Sequence, residues 1–276
     1  MHQLILGALL LLPLAAQASG DEHCEHSEPR SLQLDFSAVK TVVFDIGGND
    51  LDVRAGNSPD HKVDGRACAS NAKELGRLVL TQERSGDRLL VHARREGNFS
   101  GIFIGNHYAY MKLRASVPDT VAVQLKVGSG DASVEGARAA SVDTGSGDVR
   151  ASRIRGELTA AIGSGDLEAD DIGSLHLLSV GSGDATFRNV RGASKVGSVG
   201  SGDLGISATR GPVEIGSVGS GDVDLEDIGG SVTVGSIGSG DIDADGVRGD
   251  LSVRSVGSGD IGHRNVSGRV ELPREN

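Results

Sequence analysis

Apolar residues in the second half of the chain recur with a period of 17 to 19 residues. Each period contains two short runs in which small or β-branched apolar residues alternate with polar ones. Counted from Asp222, the apolar positions +1, +3, +6, +10, +12 and +15 are Val223, Leu225, Ile228, Val232, Val234 and Ile237. Alternation with a period of two is typical of strands with one buried face. Each period therefore predicts two short strands.

The phrase Gly-Ser-Gly-Asp marks every period. Its eight copies begin at Gly128, Gly145, Gly163, Gly181, Gly200, Gly219, Gly238 and Gly257. Self-similarity at a fixed spacing indicates a repeat architecture. The 42 glycines in 276 residues are about twice the usual share of ~7%, and glycine readily adopts the positive φ that tight corners often need. We predict an all-β fold, a parallel β-solenoid of about eight coils whose corners are these glycines.

The chain divides into four segments. Residues 1–18 resemble a signal peptide, because the apolar run 4–15 is too short to span a bilayer and Ala16-Gln17-Ala18 fits a cleavage site. An uncleaved anchor is the alternative. Residues 19–30 form a polar leader, 31–120 an irregular N-terminal β region that caps the stack, and 121–276 the repeat array. We expect an exported protein, periplasmic or at the cell surface, with no transmembrane segment after residue 18.

The N-terminal β region contains eight candidate strands and one candidate helical turn. The turn is expected at Asn71–Leu75. The strands are expected at Leu32–Phe36, Thr41–Ile46, Leu51–Arg54, Lys62–Ala67, Leu75–Gln82, Arg88–Arg94, Ile102–Ile104 and Met111–Val117.

The chain has two cysteines, Cys24 and Cys68. In an oxidising compartment they are expected to pair and to tie the polar leader to the first β region. Closing a loop of about 45 residues would stabilise the fold by roughly 4 kcal/mol in the chain-entropy model. Metal binding by Cys24 with His23 and His26 is the alternative, but no preformed tetrahedral cage is evident.

Four of the seven aromatic residues lie within a twelve-residue stretch: Phe99, Phe103, Tyr108 and Tyr110. One interpretation is a hairpin whose rings cover the open end of the stack. The other is a loop that contacts a protein or glycan partner, because aromatic residues are favoured at binding hot spots.

The aspartates that close the eight phrases are the strongest candidate for chemistry. We call them the aspartate ladder: Asp131, Asp148, Asp166, Asp184, Asp203, Asp222, Asp241 and Asp260. In-register coils place successive members about 4.8 Å apart, where two carboxylates repel by roughly 1 kcal/mol even in water. We expect each carboxylate to accept hydrogen bonds from N–H groups of its own corner. Ca²⁺ binding along the ladder is the alternative, although the nine-residue spacing of calcium-binding β-rolls is absent.

Composition argues against two functional classes. The formal net charge of −11 does not provide the basic surface that non-specific nucleic-acid binding needs. Short coils without insertions, no tryptophan and a single aromatic in the array, Phe187, leave little material for a polysaccharide-cleaving groove. Two G-x-G-x-x-G matches, at 200–205 and 257–262, precede strands rather than the helix of a dinucleotide site. We expect no catalytic residue and no cofactor, and we keep the polysaccharide-active enzyme as an alternative.

The recurring phrase Val-Gly-Ser-Gly-Asp-Val-x-Leu follows an N-terminal region that ends in Lys112-Leu113-Arg114-Ala115-Ser116-Val117-Pro118. Over residues 39–272 this arrangement resembles the bacterial "putative adhesin" family of β-strand-repeat envelope proteins, whose function is unknown. The resemblance implies an exported, non-enzymatic β-solenoid and supplies no catalytic residues. We expect an adhesin-like binding or structural module of the cell envelope with an unidentified protein or glycan partner. A Ca²⁺-stabilised surface protein is the first alternative.

Overall fold

Twenty-two strands and one short helix make up the described parts of the computed structural model, residues 24–58, 60–97 and 107–273. The elements are β1 (His26–Gln33), β2 (Thr41–Gly47), β3 (Asp50–Gly56), β4 (Lys62–Ala69), α1 (Ala72–Leu75), β5 (Leu78–Ser85), β6 (Arg88–Arg95), β7 (Ala109–Pro118), β8 (Ala122–Val127), β9 (Ala132–Glu135), β10 (Ala140–Thr144), β11 (Val149–Ile162), β12 (Leu167–Val180), β13 (Ala185–Val190), β14 (Ser194–Val199), β15 (Leu204–Thr209), β16 (Val213–Val218), β17 (Val223–Ile228), β18 (Val232–Ile237), β19 (Ile242–Asp245), β20 (Leu251–Val256), β21 (Ile261–Arg264) and β22 (Val270–Glu271).

The array is a parallel β-solenoid of about eight coils, as the sequence predicts. Strands that follow the Gly-Ser-Gly-Asp corners stack on one another as sheet A, which contains β3, β9, β13, β15, β17, β19, β21 and the first halves of β11 and β12. Strands that precede the corners stack as sheet B in the same way. Val223 pairs with Ile242 and Val213 with Val232, so residues nineteen apart are direct neighbours.

The core lies between the two sheets and consists of columns of equivalent side chains. The +1 column, for example, is buried from Ala132 through Val149 and Leu167 to Ile242. Phe187 fills the +3 position of its coil and is completely buried. Because each apolar side chain rests on its equivalents in the coils above and below, stability comes from the stacking interfaces rather than from single coils.

The corner glycines are required for a reason that differs from the expected one. In the described chain none of the glycines in the Gly-Ser-Gly-Asp phrases has a positive φ. A Cβ on Gly202 would instead lie 1.9 Å from the carbonyl oxygen of Gly183, and a Cβ on Gly219 would lie 2.6 Å from that of Gly200. Successive corners approach so closely that no side chain fits between them, and the prediction of positive φ at these glycines is wrong.

Positive φ occurs instead at the +5 position of every coil. These residues have φ between 53° and 76°, and they are Gly136, Arg153, Asp171, Asn189, Ala208, Asp227, Gly246 and Asn265. A residue with left-handed backbone inside a strand shifts the alternation of inward and outward side chains by one position. The +4 and +5 side chains therefore both point outward, and the +6 side chain points inward. The burial of Val190, Thr209 and Ile228 at +6 follows from this bend.

The N-terminal region closes one end of the solenoid with parallel and antiparallel pairings. On the sheet A side, β7 pairs in parallel with β3, β4 pairs antiparallel with β7, and β1 pairs antiparallel with β4. On the sheet B side, β6 pairs in parallel with β2, and β5 pairs antiparallel with β6. The edge strands β1 and β5 are then joined by side chains. The Arg30 guanidinium donates to the carbonyls of Leu75 and Leu78 at 3.1 and 3.2 Å, and Gln82 Nε2 donates to the Gln33 carbonyl at 2.7 Å.

Two of the strands expected in this region are misplaced. The first strand runs from His26 to Gln33 rather than over Leu32–Phe36, so strand structure begins inside the segment interpreted as a polar leader. The expected strand Leu75–Gln82 is split, because α1 ends at Leu75 and β5 begins at Leu78. The helical turn itself is confirmed, and Asn71 Oδ1 caps it by accepting from the Glu74 N–H at 2.9 Å. The expected strand Ile102–Ile104 lies outside the described residues.

Cys24 and Cys68 form a disulfide in the structure, with a Cα–Cα distance of 5.7 Å. The bond links the residues just before β1 to β4, the strand with which β1 pairs. It therefore fastens the outermost strand of the cap to its neighbour.

The opposite end of the solenoid is formed by β21 and β22, which pair with β19 and β20. His263 occupies the inward +3 position and is exposed. Val270 and Leu272 are 38% and 39% exposed. Among the described residues, no helix is both long and apolar enough to cross a lipid bilayer.

Candidate functional site

The aspartate ladder forms a single file along the corner edge of the solenoid, and all eight side chains are exposed. From Asp131 to Asp241, each Oδ1 accepts a hydrogen bond from the backbone N–H of the aspartate one coil further on. Asp184 N–H, for instance, donates to Asp166 Oδ1 at 2.9 Å, and Asp203 N–H donates to Asp184 Oδ1 at 2.9 Å. The expectation that each carboxylate binds N–H groups of its own corner is wrong, because the donor comes from the next coil. The aspartates therefore join coils to each other.

The ladder has a ninth member that sequence reasoning did not count. Asp50 Oδ1 accepts from the Asp131 N–H at 3.1 Å, which repeats the bond made between later coils. The signal for this residue was the partial echo Ile46-Gly47-Gly48-Asn49-Asp50 of the repeated phrase. Along the part of the chain that the structure describes, no group of three or more histidine, cysteine or acidic residues is arranged to hold a metal ion.

Asn49 replaces the second glycine of the phrase at this first corner. It is 6% exposed, its Nδ2 donates to the Ala93 carbonyl at 2.8 Å, and its Oδ1 accepts from the Met111 N–H at 2.8 Å. The amide thus bonds the last residues of β6 to the first residues of β7. Asn49 therefore provides polar contacts between the two cap strands that flank the first corner.

The aromatic stretch returns to the fold at the start of β7. Tyr108 and Tyr110 are half-buried, with ring centroids 6.2 Å apart. The Tyr108 hydroxyl accepts from the Glu25 N–H at 2.9 Å, and Lys112 Nζ lies 5.8 Å from the centroid of the Tyr110 ring. Phe99 and Phe103 lie outside the described residues. Tyr110 pairs in register with Cys68 of β4, so the two tyrosines belong to the cap.

A groove of about 760 Å³ lies on the outer face of sheet A where the cap meets the array. We call it the cap groove. Strands β1, β4, β7, β3, β9 and β11 contribute to it. Its charged residues are Asp50, Asp52, Asp64, Arg66, Lys112, Arg114, Asp131 and Arg150. These residues come from separate stretches of sequence, and no single motif marks them.

Basic side chains predominate on one side of the cap groove, with a single acidic residue among them. The basic side is formed by β4 and β7, where Arg66 pairs in register with Lys112 and Arg114 follows two residues later on the same strand. The acidic residue is Asp64 of β4, which pairs in register with Arg114 and lies 3.9 Å from Lys62 Nζ. The acidic side is formed by β3 and β9. In register, Lys112 faces Asp50 and Arg114 faces Asp52. Positive and negative charge thus lie on neighbouring strands.

The two arginines of the basic side have unused hydrogen-bonding capacity. Arg66 and Arg114 are exposed, and within the described ranges neither guanidinium donates a hydrogen bond or forms an ion pair. Arg150, by contrast, lies 3.4 Å from Glu168. A guanidinium offers five N–H donors in a planar fork that matches a carboxylate or phosphate. The arrangement can bind an anionic group without breaking an existing contact.

The lining of the cap groove contains no histidine or cysteine. Ser133 is present, but its hydroxyl donates to Asp52 Oδ1 at 2.8 Å. This bond holds both side chains in place on the acidic side of the groove.

A family model matches residues 39–226 of the chain, and its description is Toastrack DUF4097. The chain belongs to the Toastrack DUF4097 family. This match includes the cap strands from β2 to β7 and the first six corners. No curated protein sequence matches the chain significantly.

Three solved structures are similar to the chain at low sequence identity. A "putative lipid binding protein" from Parabacteroides distasonis has 18% identity and a TM-score of 0.52, over 91% of this chain and 98% of that one. A "putative adhesin" from Bacteroides fragilis has 12% identity and a TM-score of 0.44, over 90% and 97%. A "putative adhesin" from Parabacteroides merdae has 12% identity and a TM-score of 0.42, over 87% and 97%. At 18% identity, the likeness to the Parabacteroides distasonis structure supports the fold and says nothing about function.

Proposed function

We propose that this Toastrack protein is an exported, non-enzymatic binding module of the cell envelope, periplasmic or at the cell surface. Its partner is a protein or glycan that contacts the outer face of sheet A at the cap groove. The apolar run and cleavage-like residues of the first 18 positions support export, and the two cysteines suit an oxidising compartment.

The observation that carries this proposal is the pair of unpaired arginines in the cap groove. Most of the charged residues around the groove already have partners: Asp50 and Asp52 accept hydrogen bonds, and Arg150 pairs with Glu168. The rest of sheet A presents short, flat strands without loops above it. A rigid solenoid that holds two free guanidinium groups in a concave site is suited to recognition, because little ordering is needed on binding.

Capture from envelope fractions tests the proposal. The bait is the intact chain, and the test variant carries Arg66→Gln and Arg114→Gln together. Arg188→Gln is the matched control, because Arg188 is exposed on sheet A, is not engaged by any described residue and lies outside the groove. We expect the intact chain and the control to recover the same component and the double variant to recover at most about a tenth as much. Equal recovery by the double variant would contradict the proposal.

The aromatic stretch is a second contact that we propose at the same end of sheet A. Phe99, Phe103 and Tyr110 are the candidates, whereas the hydroxyl of Tyr108 already holds the Glu25 backbone. A Phe103→Ala, Tyr110→Ala double variant is expected to recover less of the same component. Unchanged recovery would restrict the contact to the cap groove.

A further inference from the structure

In the cap groove, basic side chains on β4 and β7 lie next to acidic side chains on β3. A site with both charges selects its ligand more narrowly than a site with one charge does. Arg66, Lys112 and Arg114 lie on β4 and β7, and Asp50 and Asp52 lie on the adjoining strand β3. Neighbouring strands are about 4.8 Å apart. The centres of the basic and acidic sides are therefore about 5 to 10 Å apart.

We propose that the cap groove binds a short zwitterionic ligand, with its anionic group on Arg66 and Arg114 and its ammonium group on Asp50 and Asp52. This inference rests on the proposed function, because it names the ligand class of the same site. A ligand with a carboxylate or phosphate and an ammonium group about 5 to 10 Å apart has the required dimensions. Short peptide segments with free termini belong to this class.

The anionic half of the ligand is held by the free guanidinium groups. Arg66 lies opposite Lys112, so Arg66 and Arg114 are diagonal neighbours on paired antiparallel strands, and such positions are about 7 to 8 Å apart. Side chains of this length converge on one group between them. Bidentate guanidinium contacts to an anion are stronger and more directional than those of a single ammonium.

The ammonium half is held by carboxylate oxygens that have remaining capacity. Asp50 and Asp52 each use Oδ1 to accept one internal hydrogen bond, from the Asp131 N–H and from Ser133 Oγ. A carboxylate has about four acceptor positions, so Oδ2 of each residue remains available. The internal bonds fix both side chains in place before the ligand arrives.

The residues around the groove disfavour ligands that carry only positive or only negative charge. A polyanion long enough to leave the groove along the corners meets the aspartate ladder, which begins at Asp50 and Asp131. A polycation meets Arg66, Lys112 and Arg114. Like-charge contacts of this kind reduce affinity for the wrong partner and create specificity. A short ligand with both charges avoids both penalties.

Titration with trialanine and its two blocked forms tests the ligand class directly. In trialanine the ammonium and carboxylate are up to about 10 Å apart in the extended chain, whereas N-acetyl trialanine is only anionic and trialanine amide is only cationic. Binding is followed by NMR through the backbone amides of β3, β4 and β7. We expect trialanine to bind at these amides and each blocked form to bind at least about tenfold more weakly.

Variants of the full chain assign each half of the ligand to its residues. Arg66→Gln with Arg114→Gln is expected to weaken trialanine binding at least about tenfold. Asp52→Asn is expected to lower the affinity for trialanine to that for N-acetyl trialanine. Arg188→Gln is expected to change nothing, and an unchanged thermal unfolding midpoint confirms that each variant is folded.

The possible results separate this inference from the proposed function. If N-acetyl trialanine binds as tightly as trialanine, the groove is an anion site and the zwitterionic assignment is wrong. If no peptide binds but envelope capture still requires Arg66 and Arg114, the ligand class is wrong and the proposed function stands. If capture is also unaffected by the two arginine substitutions, both proposals are wrong.

Discussion

At the residue scale, the fold depends on glycines that have no room for a side chain. Gly202 is buried at its corner, and a Cβ there would lie 1.9 Å from the Gly183 carbonyl oxygen. Gly205, three residues later, faces outward, where a Cβ would only touch the Thr186 side chain at 3.9 Å. The two positions form a matched pair in which only the first requires glycine.

Alanine at these two glycines is expected to have opposite effects on stability. Gly202→Ala forces two coils apart and should lower the free energy of unfolding by about 3 kcal/mol. Gly205→Ala should leave it unchanged or raise it by about 0.5 kcal/mol, because alanine restricts the unfolded chain. Urea unfolding of the two variants and the parent measures this, and equal effects would contradict the close-approach explanation.

Ser194 is a polar residue at an apolar position of the core. It occupies the +10 column between Leu175 and Val213, is 1% exposed, and its hydroxyl has no partner among the described residues. A buried hydroxyl without a hydrogen bond costs about 1 to 3 kcal/mol. The fold tolerates this cost because the neighbouring coils still bury apolar residues in the same column.

Replacing Ser194 by valine is therefore expected to stabilise the protein by about 1 to 2 kcal/mol. The control is Ser198→Val, an outward position on the same strand, which should change stability by less than about 0.5 kcal/mol. Both are measured by chemical unfolding. A loss of stability in Ser194→Val would show that the hydroxyl has a role that its surroundings do not reveal.

At the scale of elements, the array was predictable and the cap was only partly so. The alternation in strands such as β17 and β18 identifies their buried faces, and constant spacing sets their register. Strand β1 lacks this alternation because most of its residues are exposed. Its place is set by pairing with β4, more than thirty residues away, and single-sequence periodicity contains no information about that pairing.

The candidate site was predictable to a similar degree. The equal spacing of the repeated phrase predicted that the aspartates lie in one file. It did not predict which N–H donates to each carboxylate, because that depends on how successive coils are offset in space. The left-handed +5 positions could have been predicted from their residue types. Six of the eight residues are glycine, asparagine or aspartate, the types that best tolerate positive φ. The cap groove combines residues from six strands, so no local pattern could identify it.

The final coil contains a pH-sensitive contact at Asp245. A hydrogen bond from the Asn265 side chain, and to a smaller extent one from Arg264, lowers the pKa of Asp245 below its ordinary value of 3.8 in the folded protein. Asn265 Nδ2 donates to Oδ1 at 2.7 Å, and Arg264 lies 3.2 Å from Oδ2. A carboxylate with a depressed folded pKa contributes stability that is present above its unfolded pKa and is lost as the pH falls through the folded value.

Acidification is therefore expected to loosen the last coil below about pH 4. Hydrogen exchange at the amides of β21 should accelerate there, and Asp245→Asn should remove that pH dependence. Asp243→Asn on the same strand is the control and should keep it. If the exchange rates of parent and Asp245→Asn respond equally to acid, this contact does not hold the coil.

At the scale of the whole molecule, the aspartate ladder joins successive coils by hydrogen bonds. From Asp131 to Asp241 each Oδ1 is engaged by the next coil, and no three-ligand cluster occurs in the described ranges. We therefore expect millimolar Ca²⁺ to leave the thermal unfolding midpoint of metal-stripped protein unchanged. A rise of several degrees would favour the Ca²⁺-stabilised alternative. Asp222→Ala, which removes one inter-coil bond, should lower the midpoint with or without the ion.

The central claim is that residues one period apart are vertical neighbours in an unbroken stack. Spin labels at exposed corner serines measure this directly, because cysteines at Ser146 and Ser258 are separated by six coils and cysteines at Ser182 and Ser258 by four. At about 4.8 Å per coil, the distances between the labelled backbone positions should be about 29 and 19 Å. Double electron–electron resonance should give mean distances that differ by about 10 Å, each with a narrow distribution. Similar distances for the two pairs, or broad distributions, would contradict the stacked solenoid.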